Sequence, residues 1–154
     1  MAMTERVWPD LAGRIEGEAH VLPIRVYYED TDFSGVVYHA NYLKFCERAR
    51  SDCLRLLGIH QGAHWQAGEA RMGFVVRRMA CEFLKPALID DLLEVETRFL
   101  GMGGARFEID QRVKRSEAVL FEAKVTVALV DGRGQPLRIP KVITAKLTSL
   151  HPSR

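Results

Sequence analysis

The segment VYYEDTDFSGVVYHANYLKFCERAR, residues 26–50, brings Glu29, Asp30 and Asp32 within four positions of one another. Carboxylates this close repel, so the cluster asks for a cause. The residues that follow have helical spacing, yet Val36, Val37 and Tyr38 stand where a Ser, Thr or Asp would cap the helix. A helix starting near His39 leaves its first N–H groups without a side-chain acceptor. Two readings follow. Asn41 is itself the cap and the helix starts two residues later, or the free N–H groups serve a ligand. In the second case they converge on one spot where the helix dipole favours negative charge, as in an oxyanion hole. Asp32 lies seven residues before His39 across a loop containing Gly35, a residue that permits positive φ and close approach of a substrate. A carboxylate beside such donors suits acyl transfer or hydrolysis: the donors polarise a carbonyl while the carboxylate attacks it or deprotonates water.

These groups need a frame. Leu22, Ile24, Val26 and Tyr28 alternate with Pro23, Arg25 and Tyr27, which predicts a strand. From His39 or Ala40 to Leu57 the pattern is helical, with Gly58 as the stop. Tyr42, Leu43, Phe45, Cys46, Ala49, Cys53, Leu54, Leu56 and Leu57 fill about half its circumference, a stripe wide enough for a helix embraced by a sheet. Arg50 falls inside that stripe, and a partly buried pair with Glu47 one turn away accounts for it. Lys44, Arg48, Ser51, Asp52 and Arg55 form the polar side. After a polar connector, four segments from Gly73 to Leu129 alternate apolar and charged residues between tight turns, and a short basic tail closes the chain. Short connections require antiparallel pairing, and clean alternation means one solvated face. The expected fold is α+β, one long helix against a five-stranded antiparallel sheet.

The 154 residues suit one domain, read as residues 20–150 behind a loosely held tail at 1–19. The 22 Lys and Arg against 20 Asp and Glu are scattered, which argues against a nucleic-acid partner. No apolar run approaches a membrane span, and the first twenty residues lack a signal-peptide core, so a cytoplasmic location is expected. Cys46, Cys53 and Cys81 lack metal-ligand spacing and read as buried free thiols. His60 and His64 are four apart but have no third ligand nearby, while His20 and His151 suggest nothing.

The stretch Arg25-Val26, Thr31-Asp32, Gly35-Val36-Val37-Tyr38-His39 and Tyr42 resembles the active-site motif of the 4-hydroxybenzoyl-CoA thioesterase family, closest to its YbgC-type branch. The likeness continues through ERAR in the helix and FLKPALIDDLLEVET, covering about residues 20–145. Phe33 and Ser34 fall where the family varies. The resemblance implies a hotdog fold, a long helix wrapped by a curved antiparallel sheet, in homodimers or homotetramers joined through edge strands. It implies hydrolysis of acyl-CoA, or of acyl groups on acyl carrier protein, with no cofactor or metal because CoA belongs to the substrate. Asp32 matches the catalytic carboxylate, as nucleophile or general base. His39 matches the position whose backbone N–H polarises the thioester carbonyl. Gly35, Val37 and Tyr38 are expected at the substrate, with Thr31 and Asp30 fixing the loop and Asp30 paired to an arginine such as Arg50. The branch's association with the Tol-Pal envelope system keeps a second expectation open, a non-hydrolytic thioester or carrier-protein binding module. A hotdog dehydratase fits worse, because this loop does not resemble theirs.

Overall fold

The computed structural model describes residues 11–60 and 71–150. Its strands are β1 (Arg14–Glu16), β2 (Ala19–Arg25), β3 (Met72–Phe83), β4 (Leu92–Gly103), β5 (Arg106–Arg115) and β6 (Ala118–Asp131). They form one antiparallel sheet in the order β1-β2-β4-β5-β6-β3. Helix α1 (His39–Leu56) crosses the inner face, and α2 (Lys141–Thr148) closes one end. The α+β reading and the strand–helix–sheet order hold.

The register explains the core. Leu22, Val95, Val113, Phe121 and Phe83 are successive cross-strand partners, as are Phe99, Ile109, Val125 and Met79. These apolar rows meet Phe45, Cys46, Ala49 and Leu54 from α1. Between them runs a polar row of His20, Thr97 and Gln111, all buried. Gln111 Nε2 donates to Cys46 O and to Thr97 Oγ1, each at 3.0 Å, and Gln111 Oε1 accepts from Arg50 Nη1 at 2.8 Å. Arg50 also holds Glu47, so the partly buried pair expected from the sequence forms.

On the outer face, charges alternate across strands. Glu96 is flanked by Arg98 and Lys114, and Arg112 by Asp110 and Glu122. Burial pushes the Glu96 carboxyl up, but Arg98 and Lys114 outweigh it and hold it below its ordinary value. Such pairs contribute little stability singly; they mark the face as solvated.

Several expectations need correction. Residues 14–19, assigned to a loose tail, form β1 and its turn into β2. The sheet therefore has six strands. The basic tail contains α2, whose Ile143 and Leu147 enter the core. Asp52, placed on the polar side of α1, is buried, because Gly13 and His20 of the N-terminal hairpin reach over that side. In β3 a bulge between Val76 and Arg78 breaks the strict alternation expected from Gly73 onwards, so Phe74 and Val76 share the face of Met79, Cys81 and Phe83. The first strand is also shorter than expected, ending at Arg25, and Tyr28 sits exposed in a 3₁₀ turn.

Among the described residues no helix is long and apolar enough to cross a membrane. Cys46 and Cys53 are buried, and Cys81 is partly exposed. His60 is exposed; His64 and His151 lie outside the described residues.

Candidate active site

Chain continuity alone puts Asp32 and His39 near each other. Thr31 bridges Val37 in antiparallel fashion, so the intervening residues fold back as a small hairpin. Asp32 N–H donates to Val36 O at 2.9 Å, and Gly35 N–H to Asp32 O at 3.0 Å. Gly35 has φ +80°, a conformation in which a side chain would be strained. Asp32 thus stands one residue from a bridge whose other arm ends two residues before His39. Its carboxylate is exposed, and Oδ1 accepts from Ser34 N–H at 2.8 Å. That bond aims the side chain while leaving Oδ2 without a partner among the described residues.

α1 begins at His39 with Tyr38 in the cap position and no side-chain cap. Asn41 does not cap it. Its Nδ2 instead donates to Asp30 O at 2.8 Å, a carbonyl that also accepts from Tyr38 N–H at 2.9 Å. His39 and Ala40 N–H have no acceptor among the described residues. Two adjacent N–H groups at the positive end of an 18-residue helix form an anion-favouring position. The helix start is uncapped because the capping positions are occupied by residues that anchor the loop.

The three carboxylates are not equivalent. Asp30 Oδ2 accepts from Tyr27 N–H at 2.8 Å, closing the turn at Tyr28–Asp30, and Thr31 Oγ1 donates to Tyr28 O at 2.7 Å. Both hold the loop, as expected. The expected partnership of Asp30 with Arg50 does not form, because Arg50 is engaged by Glu47 and Gln111. Of the remaining two, Glu29 lies in the turn itself, and Asp32 is at the hairpin.

The turn between β3 and β4 braces the loop from outside. Val37 is buried; its N–H donates to Ala87 O at 2.9 Å, and Val36 bridges Leu88. Asp91 Oδ2 accepts from Leu88 N–H and from Arg115 Nη1, at 2.9 and 2.7 Å. Burial pushes the Asp91 carboxyl up, but these two donors outweigh it and hold it below its ordinary value. Asp90 adopts φ +69°, which turns the chain back towards Val26.

Tyr38 and His39 are exposed. The His39 ring lies 4.5 Å from that of Tyr38 and meets Phe83 edge-on at 5.9 Å. Phe83, half exposed at the end of β3, also contacts Tyr42 and Phe121. Sequence reading assigned Asp32, Gly35, Val37, Tyr38 and His39, and all five fall in this one region. It passed over Phe83, Ala87, Asp91 and Arg115, which come from distant strands and turns. The FLKPALIDD run was the available signal, since its motif-like density was visible without its purpose.

A separate apolar cavity of about 50 Å³ lies between α1, the sheet and α2, lined by Leu54, Phe74, Phe99, Phe107 and Leu147, with Arg50 at its wall. None of the five candidate site residues lines it. Among the described residues no cluster of three or more His, Cys, Asp or Glu could hold a metal.

A long helix wrapped by a curved antiparallel sheet defines a protein of the hotdog class. The chain belongs to the thioesterase-like superfamily, whose family model it matches over residues 26–147. It is 45% identical over 124 residues to the acyl-CoA thioesterase YbgC of Haemophilus influenzae, covering 80% of this chain and 90% of that protein. It is 46% identical over 127 residues to the acyl-CoA thioester hydrolase YbgC of Escherichia coli O6:H1, covering 80% and 92%. The crystal structure of a probable thioesterase from Bartonella henselae superposes with a TM-score of 0.76 at 46% identity, covering 79% of this chain and 99% of that one.

Proposed function

We propose that this chain hydrolyses acyl-CoA thioesters to a free carboxylic acid and a thiol. Supporting the reaction class are the family membership and the curated relatives named as acyl-CoA thioesterases. The residue assignment is supported by two helix-start amides without an acceptor among the described residues and by an exposed Asp32 carboxylate on the short hairpin that leads into them.

In this reading the thioester carbonyl oxygen lies against the His39 N–H, with Gly35 and Tyr38 bordering the approach. The Val37 side chain, expected there as well, is buried. Asp32 attacks the carbonyl carbon or deprotonates the attacking water. Negative charge grows on the oxygen as the tetrahedral intermediate forms, and fixed amides stabilise it without reorganising. One such donor contributes roughly 10²–10³ in rate, and a positioned base another 10²–10⁴. The C–S bond then breaks and CoA leaves as its thiolate, which takes up the proton given by the water. On the nucleophilic route the acyl–Asp32 anhydride left behind is cleaved by water, releasing the acid and restoring the carboxylate. A thioester carbonyl has weak resonance stabilisation, so this modest equipment suffices. CoA is part of the substrate, and the scheme needs no metal or separate cofactor. An acyl group on acyl carrier protein presents the same thioester and is the alternative substrate.

Two subunits are proposed to join through β3, an outermost strand of the sheet. Val75, Val76 and Phe83 are 45%, 43% and 50% exposed there, and pairing would satisfy the free edge.

The test is thiol release from a panel of acyl-CoAs by wild type and Asp32→Asn. Turnover is expected to fall by about 10²-fold or more in the variant. Near-wild-type turnover would remove Asp32 from the chemistry.

A further inference from the structure

The Ala87 peptide is used on both sides. Its N–H donates to Tyr42 Oη at 3.0 Å, and its carbonyl accepts from Val37 N–H at 2.9 Å. Ala87 is wholly buried, so neither group can turn to water instead. Tyr42 lies in the first turn of α1, three residues after His39. The turn that carries the uncapped amides therefore also carries the hydroxyl that fixes the outer brace of the loop.

The phenol ring has little freedom. It stacks on Phe121 with centroids 5.2 Å apart and planes 8° apart, and meets Phe83 and Phe45 edge-on at 6.0 and 6.1 Å. Burial pushes the phenol above its ordinary value of 10.0, so the oxygen remains a neutral hydroxyl. A core aromatic would need only the ring. Here the hydroxyl links three elements: the helix start, the β3–β4 turn and, through Val37, the hairpin whose bridge to Thr31 places Asp32.

We infer that Tyr42 is a positioning residue for thioester hydrolysis, its hydroxyl holding the Val37–His39 arm and Asp32 in register through the Ala87 peptide. The inference rests on the assignment of Asp32 and the His39 amide to the chemistry. Tyr42 touches no reacting atom. Its contribution is the spacing between a base and an oxyanion donor, and small errors in such spacing are costly. Phe at this position keeps the stacking and deletes only the bond, leaving the Ala87 N–H buried without an acceptor.

The experiment compares wild type with Tyr42→Phe, Leu129→Ala and Asp32→Asn, well below the unfolding temperature of each. Leu129 is buried on β6 outside the site and serves as the packing control. Steady-state thiol release gives kcat and KM, and amide hydrogen exchange by NMR follows Val37 and Ala87. Tyr42→Phe is expected to lower kcat about tenfold, or about 1.4 kcal/mol, with KM within about twofold, the pattern of a defect confined to the transition state. Protection of the Val37 and Ala87 amides should fall together while that of Ile109 holds. Leu129→Ala should lose global stability and keep kcat. Wild-type kcat in Tyr42→Phe, or an equal loss in Leu129→Ala, overturns the inference. If Asp32→Asn is inactive and Tyr42→Phe is normal, the positioning role alone fails. If Asp32→Asn keeps full turnover, the site assignment fails and takes this inference with it.

Discussion

His20 Nε2 lies 2.6 Å from Asp52 Oδ2 in the buried seam between β2 and α1. The same oxygen accepts from Gly13 N–H at 2.8 Å, and Arg55 Nη1 stands 3.7 Å from Oδ1. His20 is wholly buried, and its Nδ1 has no hydrogen-bond partner among the described residues. A carboxylate oxygen only accepts, so the Nε2–H of His20 is the group that faces Oδ2. β2 leads into the site loop and α1 leads out of it, so this contact ties together the two arms that carry the hairpin.

Removing one partner leaves the other buried and unpaired. Asp52→Ala should lower unfolding stability by about 1–3 kcal/mol, measured by urea denaturation. Asp52→Asn keeps an acceptor for Gly13 and His20 and should cost less. Equal stability of Asp52→Ala and wild type would mean that the seam opens to water.

Gly13 has no room for a side chain. A Cβ there would stand 2.3 Å from Val21 O and 2.9 Å from Asp52 Oδ2. The first contact is backbone and cannot swing aside, so Gly13→Ala should detach β1 from β2. Hydrogen exchange at Arg14–Glu16 would rise sharply while α1 keeps its protection. Unchanged exchange in β1 would contradict the packing described.

The Asp91 brace has a defined pH range. Its carboxyl has an ordinary value of 3.8 and is held below that in the fold, so the unfolded chain binds the proton more readily. Its stabilising contribution is present above 3.8 and disappears as pH falls through the lower folded value. The stability difference between wild type and Asp91→Asn should be full at about pH 6 and shrink as the pH falls below 3.8. A difference that grows on acidification would reverse the sign argued here.

The buried cysteines should be inert. Burial pushes the Cys46 and Cys53 thiols up to about 12, leaving little thiolate at neutral pH. Iodoacetamide at pH 8 should leave both unmodified in the native protein and label them once it is unfolded, as read by mass spectrometry. Rapid native labelling of Cys46 would show the α1 seam to be open.

If the backbone of His39 supplies the oxyanion donor, its imidazole is dispensable for that task. His39→Ala should keep the helix start, since Ala is the best helix former. Its turnover should fall by less than about tenfold, against about 10²-fold or more for Asp32→Asn. A loss as large as that of Asp32→Asn would assign the imidazole a direct role.

Much of this was legible in the residues. Period-two alternation from Gly73 to Leu129 and the wide apolar stripe from Tyr42 to Leu57 specified sheet and helix, because burial of one face leaves a periodic trace. The uncapped helix after Val36-Val37-Tyr38 was legible too, since a missing cap is a local fact. α2 left a weaker trace. Ile143, Leu147 and Leu150 have helical spacing, but eight residues without a capping side chain look like a tail.

Tertiary structure alone decided the rest. His20 and Asp52 are 32 positions apart, Tyr42 and Ala87 are 45, and Arg115 reaches Asp91 across 24. Nothing local distinguishes a buried aspartate on a helix from a solvated one until another strand covers it. Periodicity reports which face an element buries. Only register and chain packing determine which polar atoms meet inside that face, and those meetings hold the hairpin in place.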